Sequence, residues 1–287
     1  MGTKIDTINF LKKIKKNTSN AFKRKIPVSI PVYKGDLLKN RTALITGGSS
    51  GIGYAIGKAF LDNGATIIIT GRNKEKLDKS LKKLKEDYKN VYSIDLDLSD
   101  IDSMDDKIKE IDKMLNGKKI DILVNNAGVF SSSSFGNIKE EEFDKVIDAN
   151  LKGTCFLSQK VSNYMKKNKI KGNILNIASS SSLRPATTPY SISKWGIRGL
   201  TIGMAKKLID DGIVVNGIAP GPTATEMLKG DSNNITKSQY PLDRYIMPEE
   251  IANLAVFLTS DMGRMIVGDI IYMTGGLGTI TVDDLSY

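Results

Sequence analysis

The fold of this 287-residue chain is decided by the stretch Thr42-Ala43-Leu44-Ile45-Thr46-Gly47-Gly48-Ser49-Ser50-Gly51-Ile52-Gly53. Its first four residues have the apolar character of a buried strand, and residues 54–61 have the pattern of a helix. A glycine-rich turn between a strand and a helix lets backbone N–H groups approach a pyrophosphate at the positive end of the helix. The spacing is G-x-x-x-G-x-G rather than the commoner G-x-G-x-x-G. The strand before it and the helix after it nevertheless favour dinucleotide binding.

Short apolar runs recur along the chain, and longer helical stretches separate them. They lie at residues 42–46, 65–70, 91–95, 120–124, 173–178, 213–218 and 269–273. Continuous apolar strands that alternate with helices indicate a parallel sheet covered on both faces. We therefore predict an α/β fold, a doubly wound parallel sheet of about seven strands, in one domain over residues 41–287.

The composition excludes several classes of chemistry. The chain has no His, which removes Ser-His-Asp hydrolysis, His-based metal sites and His general bases. Its single cysteine, Cys155, forms neither an intrachain disulfide nor a cysteine zinc site, and this suits a reducing cytoplasm. We expect no bound metal, a cytoplasmic location, and proton chemistry by Tyr, Lys, Asp or Glu.

Most of the net charge of +10 comes from the first 41 residues of the chain. Residues 1–41 hold 11 Lys and Arg against two Asp, whereas the rest of the chain holds 31 basic and 30 acidic side chains. We expect a basic arm or linker over residues 1–40 and no nucleic-acid partner. Apolar residues at helical spacing within residues 1–25 favour peripheral contact with an anionic membrane. A solvated or subunit-wrapping extension explains them equally well.

Arg72 indicates which dinucleotide cofactor the chain prefers. About 20 residues beyond the glycine turn, an NAD-binding chain usually carries an acidic residue for the ribose 2′-OH. This chain has Thr70-Gly71-Arg72-Asn73 there, with no acid. Arg72 suits a 2′-phosphate, so NADP(H) is preferred and NAD(H) stays open. Stacking on adenine, or exposure to water, is the alternative role for Arg72.

Tyr190 and Lys194 form the candidate acid–base pair. Residues four apart on a helix lie on the same face. A free phenol titrates near ~10, and a nearby ammonium is expected to lower that value toward the working range. The Y-x-x-x-K pattern is common on solvated helices, so it becomes informative only beside a cofactor site.

These features together resemble one family, the short-chain dehydrogenases/reductases. The motifs that carry the resemblance, in chain order, are Thr46–Gly53, Asn125-Asn126-Ala127-Gly128, Asn150, Tyr190-x-x-x-Lys194, Pro220-Gly221-Pro222-Thr223-Ala224-Thr225 and the segment from Gly268 to Gly276. The resemblance covers roughly residues 40–278. It implies a Rossmann-like fold, hydride transfer between a nicotinamide cofactor and a carbonyl or secondary alcohol, and a homodimer or homotetramer.

The resemblance also implies catalytic roles for particular residues. Tyr190 would protonate the carbonyl oxygen, and Lys194 would tune Tyr190 and hydrogen-bond the nicotinamide ribose. Asn150 would help hold a water that relays protons. Ser179, with Ser180 as the alternative, would donate to the developing oxyanion.

The implied cofactor contacts run through the whole domain. The glycine turn would hold the pyrophosphate, Asp97 and Leu98 would contact adenine, and the Asn125–Gly128 turn would close beside the adenosine half. The full set is Gly47, Ser49, Ser50, Gly51, Ile52, Gly53, Arg72, Asp97, Leu98, Asn125, Ala127, Gly128, Tyr190, Lys194, Pro220, Gly221, Thr223 and Thr225.

Residues 226–247 form a long polar segment of the kind that often acts as a lid. Lys229 and Lys237 lie in it, and Arg184 lies between the candidate Ser and Tyr. These cations favour an anionic substrate, although lysines in lids are usually solvated.

Two other functions stay open at this point. One is a 3-oxoacyl-carrier-protein reductase, which the near-neutral body disfavours weakly because an acidic carrier needs a basic docking patch. The other is a non-catalytic nucleotide sensor or scaffold, which has no need of the Ser179, Tyr190 and Lys194 set.

Overall fold

The computed structural model describes residues 34–131, 133–225, 235–237 and 239–278. Within them, seven parallel strands form one sheet in the order β3-β2-β1-β4-β5-β6-β7. The strands are Thr42–Ile45 (β1), Thr66–Gly71 (β2), Val91–Asp95 (β3), Ile122–Asn125 (β4), Asn173–Ile177 (β5), Val214–Pro220 (β6) and Ile270–Met273 (β7). Each coincides with one of the apolar runs in the sequence, so the predicted parallel sheet is confirmed.

Helices connect these strands and cover both faces of the sheet. The α-helices are Gly51–Asp62 (α1), Lys74–Asp87 (α2), Met104–Met114 (α3), Glu140–Ile147 (α4), Gly153–Lys167 (α5), Pro189–Leu208 (α6) and Pro248–Thr259 (α7). A π-helical turn, Asp148–Lys152, joins α4 to α5, and short 3₁₀ turns occupy Ser180–Leu183, Ile209–Asp211 and Asp261–Gly263. In the part of the chain described, no helix is both long and apolar enough to cross a bilayer.

The core has two main layers, one on each face of the sheet. Phe60 of α1 and Ile251 of α7 are fully buried in one layer, and Met104 of α3 and Leu157 of α5 are fully buried in the other. Buried apolar side chains stabilise a fold by roughly 1.5–3 kcal/mol each. This double-sided burial explains why the strands are apolar throughout instead of alternating.

The residues just before β1 pack onto the domain. Leu38 is completely buried, and the Gly35 N–H donates to the Asp62 carbonyl at 3.1 Å. Arg41 binds Asp121 through Nε at 3.0 Å and the side chain of Asn173 through Nη2 at 2.7 Å. The predicted basic arm lies mostly outside the described residues, including all of the 1–25 segment.

Candidate active site

A cleft of about 970 Å³ opens at the carboxyl ends of the strands. The sheet order reverses direction between β1 and β4, and parallel α/β sheets bind ligands at such switch points. Most of the predicted cofactor residues line this cleft: Gly47, Ser49, Ser50, Gly51, Ile52, Arg72, Asp97, Leu98, Ala127, Gly128, Tyr190, Lys194, Pro220, Gly221, Thr223 and Thr225. Ser179 and Ser180 line it as well. Gly53, Asn125 and Asn150 are outside this lining and act from behind it.

The glycine turn has a backbone that only glycine accommodates well. Gly47 and Gly51 have φ values of 64° and 54°, which is the left-handed region. A Cβ on Gly53 would collide with the carbonyl oxygen of Gly47 and the side-chain nitrogen of Asn126. Helix α1 begins at Gly51, so the turn directs the first N–H groups of the helix into the cleft.

Thr46 and Asn126 fasten this turn to the end of β4, and sequence reasoning assigned a role to neither side chain. The Thr46 hydroxyl accepts the N–H groups of Asn126 and Ala127 at 2.9 and 3.0 Å. The Asn126 amide donates to the carbonyls of Thr46 and Gly47 at 2.9 and 3.1 Å. The glycine turn and the end of β4 are therefore hydrogen-bonded to each other.

Asn125 lies under the cleft instead of lining it. Its side-chain Nδ2 donates to Ser158 Oγ and Asn176 Oδ1, both at 2.8 Å, and Asn176 donates on to Thr201 Oγ1 at 2.8 Å. All four side chains are buried. This polar ladder ties β4 and β5 to α5 and α6, so the described contacts of Asn125 are structural.

Arg72 follows β2 directly and stands beside Asp97, the expected adenine contact. Burial alone would raise the pKa of Asp97, but hydrogen bonds from Ser99 and the positive charge of Arg72 lower it. The Asp97 carboxylate accepts the Ser99 N–H at 2.9 Å. Arg72 is exposed at the rim of the cleft and can face an added phosphate.

The start of helix α6 fixes Tyr190. Thr188 caps the helix by accepting the Ser191 N–H at 3.0 Å, and the Ser191 hydroxyl accepts the Thr188 N–H at 3.0 Å. Pro189 occupies the first helical turn, where its missing N–H costs nothing. This capping box holds the phenol at the inner end of the cleft.

Lys194 is deeply buried one turn further along. Its ammonium donates to the Ile177 carbonyl at 2.8 Å and lies 5.7 Å from the centre of the Tyr190 ring. Burial lowers the pKa of Lys194 to about 8, because it disfavours the charged form.

The pKa of Tyr190 departs from the sequence-based expectation that Lys194 lowers it. Burial raises the pKa of Tyr190, and a hydrogen bond with Ser179 opposes that rise only in part. The physical reason is that the phenol is desolvated while the ammonium is directed to the Ile177 carbonyl.

Ser179 is the serine that reaches Tyr190. It caps the 3₁₀ turn Ser180–Leu183, and its hydroxyl accepts the Ser181 N–H at 3.1 Å. Ser179, and not Ser180, is the serine that acts to lower the pKa of Tyr190, and this favours Ser179 as the oxyanion donor.

Asn150 supports the site from the π-helical turn. Its Oδ1 accepts the Val129 N–H at 2.7 Å, and its Nδ2 donates to the Val129 carbonyl at 2.9 Å and to Ser193 Oγ at 3.2 Å. Such turns are frequent at functional sites. These bonds link the loop after β4 to the helix that carries Tyr190 and Lys194.

Phe130 lines the cleft beside Tyr190. The ring of Phe130 lies 5.3 Å from that of Tyr190 and is half exposed. Arg184 is exposed, and its positive charge acts to lower the pKa of Tyr240. The Lys237 ammonium lies 5.4 Å from the Tyr245 ring. Within the predicted lid, residues 226–234, which include Lys229, and residue 238 fall outside the described residues.

A parallel sheet with a glycine turn at its switch point, and a Tyr–Lys pair whose lysine is buried, define a class, the dinucleotide-binding α/β oxidoreductases. Comparison with known proteins narrows that class. The family model of short chain dehydrogenases matches residues 41–236. The chain belongs to the short-chain dehydrogenase/reductase family, as its motif order predicts.

Curated relatives match over most of the chain. A 3alpha-hydroxysteroid dehydrogenase of Mediterraneibacter gnavus is 37% identical over 249 residues, which are 83% of this chain and 97% of the relative. A 3-oxoacyl-[acyl-carrier-protein] reductase of Thermotoga maritima is 36% identical over 245 residues, 84% of this chain and 98% of the relative. The chain is therefore similar in sequence to oxidoreductases that have different substrates.

A solved structure of a short chain dehydrogenase is also similar to this chain in fold and in sequence. A short chain dehydrogenase from Burkholderia cenocepacia, crystallised in complex with NADP, has a TM-score of 0.75 and 28% identity. The match covers 84% of this chain and 99% of that chain.

Proposed function

We propose that this oxidoreductase transfers hydride between NADP(H) and a carbonyl or secondary alcohol, with Tyr190 as the general acid or base. The observation that carries the proposal is the convergence of Ser179, Tyr190 and Lys194 on one cleft whose other end is the glycine turn. The nicotinamide, when bound, supplies or accepts the hydride.

The residues present fit such a cofactor. The glycine turn offers backbone that carries no side chains. Thr225 packs closely against it, since a Cβ on Gly51 would lie 3.2 Å from the Thr225 methyl group. Arg72 at the rim favours the 2′-phosphate of NADP(H), which a solved relative also contains. NAD(H) is the alternative cofactor.

At neutral pH a phenol with a raised pKa is protonated, so Tyr190 holds the proton that the carbonyl oxygen takes up during reduction. The raised pKa also makes Tyr190 a weaker acid than a phenol that titrates in the working range. Ser179 would hydrogen-bond the same oxygen as charge develops on it. Lys194 would hold the ribose, and Asn150 would hold the helix of Tyr190 against the loop after β4.

The test is a panel of ketones and aldehydes, with steroid ketones and a 3-oxoacyl thioester included, in which oxidation of NADPH and of NADH is followed by absorbance. We expect turnover with at least one carbonyl and a higher kcat/KM for NADPH than for NADH. If NADPH binds but no carbonyl is reduced, the sensor or scaffold alternative replaces this proposal.

The steroid and thioester arms separate two substrate classes. The apolar ring of Phe130 against Tyr190 favours a carbonyl on an apolar body. Preference for the thioester on its carrier protein would instead support the 3-oxoacyl-carrier-protein reductase.

A further inference from the structure

We propose that Trp195 and Arg198 act as a clamp that positions Ser179, and hence the oxyanion contact, from the outer side of helix α6. This inference rests on the proposed role of Ser179. Neither clamp residue lines the cleft, so both are positioning residues and not catalytic ones.

The position of Ser179 depends on the turn that follows it. The Ser179 carbonyl accepts both the N–H and the hydroxyl of Ser182, at 3.0 and 2.8 Å. The Ser179 hydroxyl accepts the Ser181 N–H at 3.1 Å and donates to Ser181 Oγ at 3.0 Å. A displacement of this turn therefore moves the Ser179 hydroxyl.

The far end of the turn is held by α6 through two side chains. The Trp195 indole N–H donates to the Arg184 carbonyl at 2.8 Å, and Arg198 Nη1 donates to the Ser182 carbonyl at 3.1 Å. These are two successive anchor points on the segment that leads from Ser179 toward Tyr190.

The side chains of Trp195 and Arg198 also contact each other. Residues 195 and 198 are three apart on one helix and so lie on the same face. The Arg198 guanidinium carbon lies 5.2 Å from the centre of the Trp195 ring, within the range of a cation–π contact. Each side chain thus restricts the other, and less entropy is lost when they bind the turn.

The same helix carries Tyr190 and Lys194, which gives the clamp its chemical consequence. Residues 184–187 between the turn and the helix are exposed, so they provide little packing of their own. Because the two clamp residues and Tyr190 belong to the same helix, the clamp fixes the distance from Ser179 to Tyr190. A reacting group misplaced by about 1 Å loses on the order of 100-fold in rate.

The first experiment needs no substrate. Amide hydrogen exchange is measured on the full chain for wild type, Trp195→Phe, Arg198→Met and the control Ile202→Ala, an exposed apolar residue on the same helix. Trp195→Phe keeps the aromatic face and removes only the donor. We expect exchange over residues 180–184 to rise by about tenfold or more in the two clamp variants and not in the control. Unchanged exchange in both clamp variants would overturn the clamp.

The second experiment is a double-mutant cycle with Ser179→Ala, using the best ketone of the panel. Trp195→Phe should lower kcat by about tenfold with an unchanged KM for NADPH and an unchanged melting temperature. In the Ser179→Ala background the same change should alter kcat by less than about twofold, because the residue through which it acts is gone.

The outcomes separate the two proposals. Additive losses, or a KM effect in place of a kcat effect, would overturn the clamp and leave Ser179 as the oxyanion donor. Full activity in Ser179→Ala would overturn the role of Ser179 itself and, with it, the clamp.

Discussion

The two ends of the cleft are built in different ways. The proposed cofactor end is defined by backbone, since Gly47 and Gly51 adopt left-handed conformations and Thr46 and Asn126 bind main-chain groups. The proposed substrate end is defined by side chains on exposed segments. Its order comes from contacts with distant residues, such as the Trp195 bond to the Arg184 carbonyl.

This difference predicts that related chains keep the glycine-lined end of the cleft and vary the other end. A backbone cradle tolerates few substitutions, because an added Cβ collides with main-chain atoms. Exposed side chains at the substrate end can change at little cost to the fold. The relatives named as a hydroxysteroid dehydrogenase and an acyl-carrier-protein reductase are consistent with that division.

The largest effect should come from Tyr190→Phe, which removes the proton donor and leaves the ring against Phe130. We expect kcat to fall by roughly 10²- to 10⁴-fold with the dissociation constant for NADPH nearly unchanged. Tyr272→Phe, a change of the same type on strand β7, is the control and should keep full activity. Comparable turnover in the two variants would exclude Tyr190 as the acid.

Lys194→Met should change the pH dependence of stability. Burial lowers the pKa of Lys194 to about 8, so the folded state prefers the neutral amine and the unfolded state binds the proton up to higher pH. In the wild type, the free energy of unfolding should therefore rise between pH ~8 and ~10.5, by an amount on the order of 3 kcal/mol at most. Lys194→Met should lack this rise.

The measurement for this prediction is urea unfolding of wild type and Lys194→Met at several pH values across that window. The difference between the two curves isolates Lys194 from the other titrating groups. A difference that does not vary with pH would show that Lys194 titrates normally.

Gly53→Ala should weaken the cofactor end by overpacking. The new methyl group meets the Gly47 carbonyl, which is backbone and cannot move aside easily. We expect a loss of about 1–3 kcal/mol in unfolding free energy and weaker NADPH binding.

Gly57→Ala is the matched control, since its Cβ would meet only side-chain atoms, with the tip of Ile67 nearest at 3.1 Å. Thermal unfolding and NADPH fluorescence titration of both variants provide the measurement. Equal effects at the two glycines would contradict the role of the close approach at Gly53.

Arg72→Ala should give the smallest effect of the set, about a tenfold loss of affinity for NADPH with little change for NADH. The effect is modest because Arg72 is exposed and water screens its charge. Titration with both cofactors is the measurement. A parallel loss for both would indicate stacking on adenine in place of phosphate recognition.

Much of the cofactor end could be predicted from the sequence because its signals are local. The apolar runs mark the strands, and glycines followed by a helix mark the pyrophosphate turn. The pair Tyr190 and Lys194 followed from helical spacing, and the structure places both in the cleft.

The rest depends on tertiary contacts that no local pattern contains. Burial, which sequence does not measure, sets the direction of the pKa of Tyr190. Asn125 belongs to a ladder with residues far along the chain. The clamp from Trp195 becomes visible only when α6 and the Ser180–Leu183 turn lie side by side.

The most direct test of the central claim is transfer of a labelled hydride. The enzyme and its best ketone are incubated with NADPH that carries deuterium on one or the other face of nicotinamide C4, and the alcohol is analysed by mass spectrometry. We predict one deuterium on the carbinol carbon from one labelled form and none from the other, since Tyr190 and the glycine turn fix the cofactor in one orientation. An alcohol with no deuterium from either form would contradict hydride transfer in this cleft.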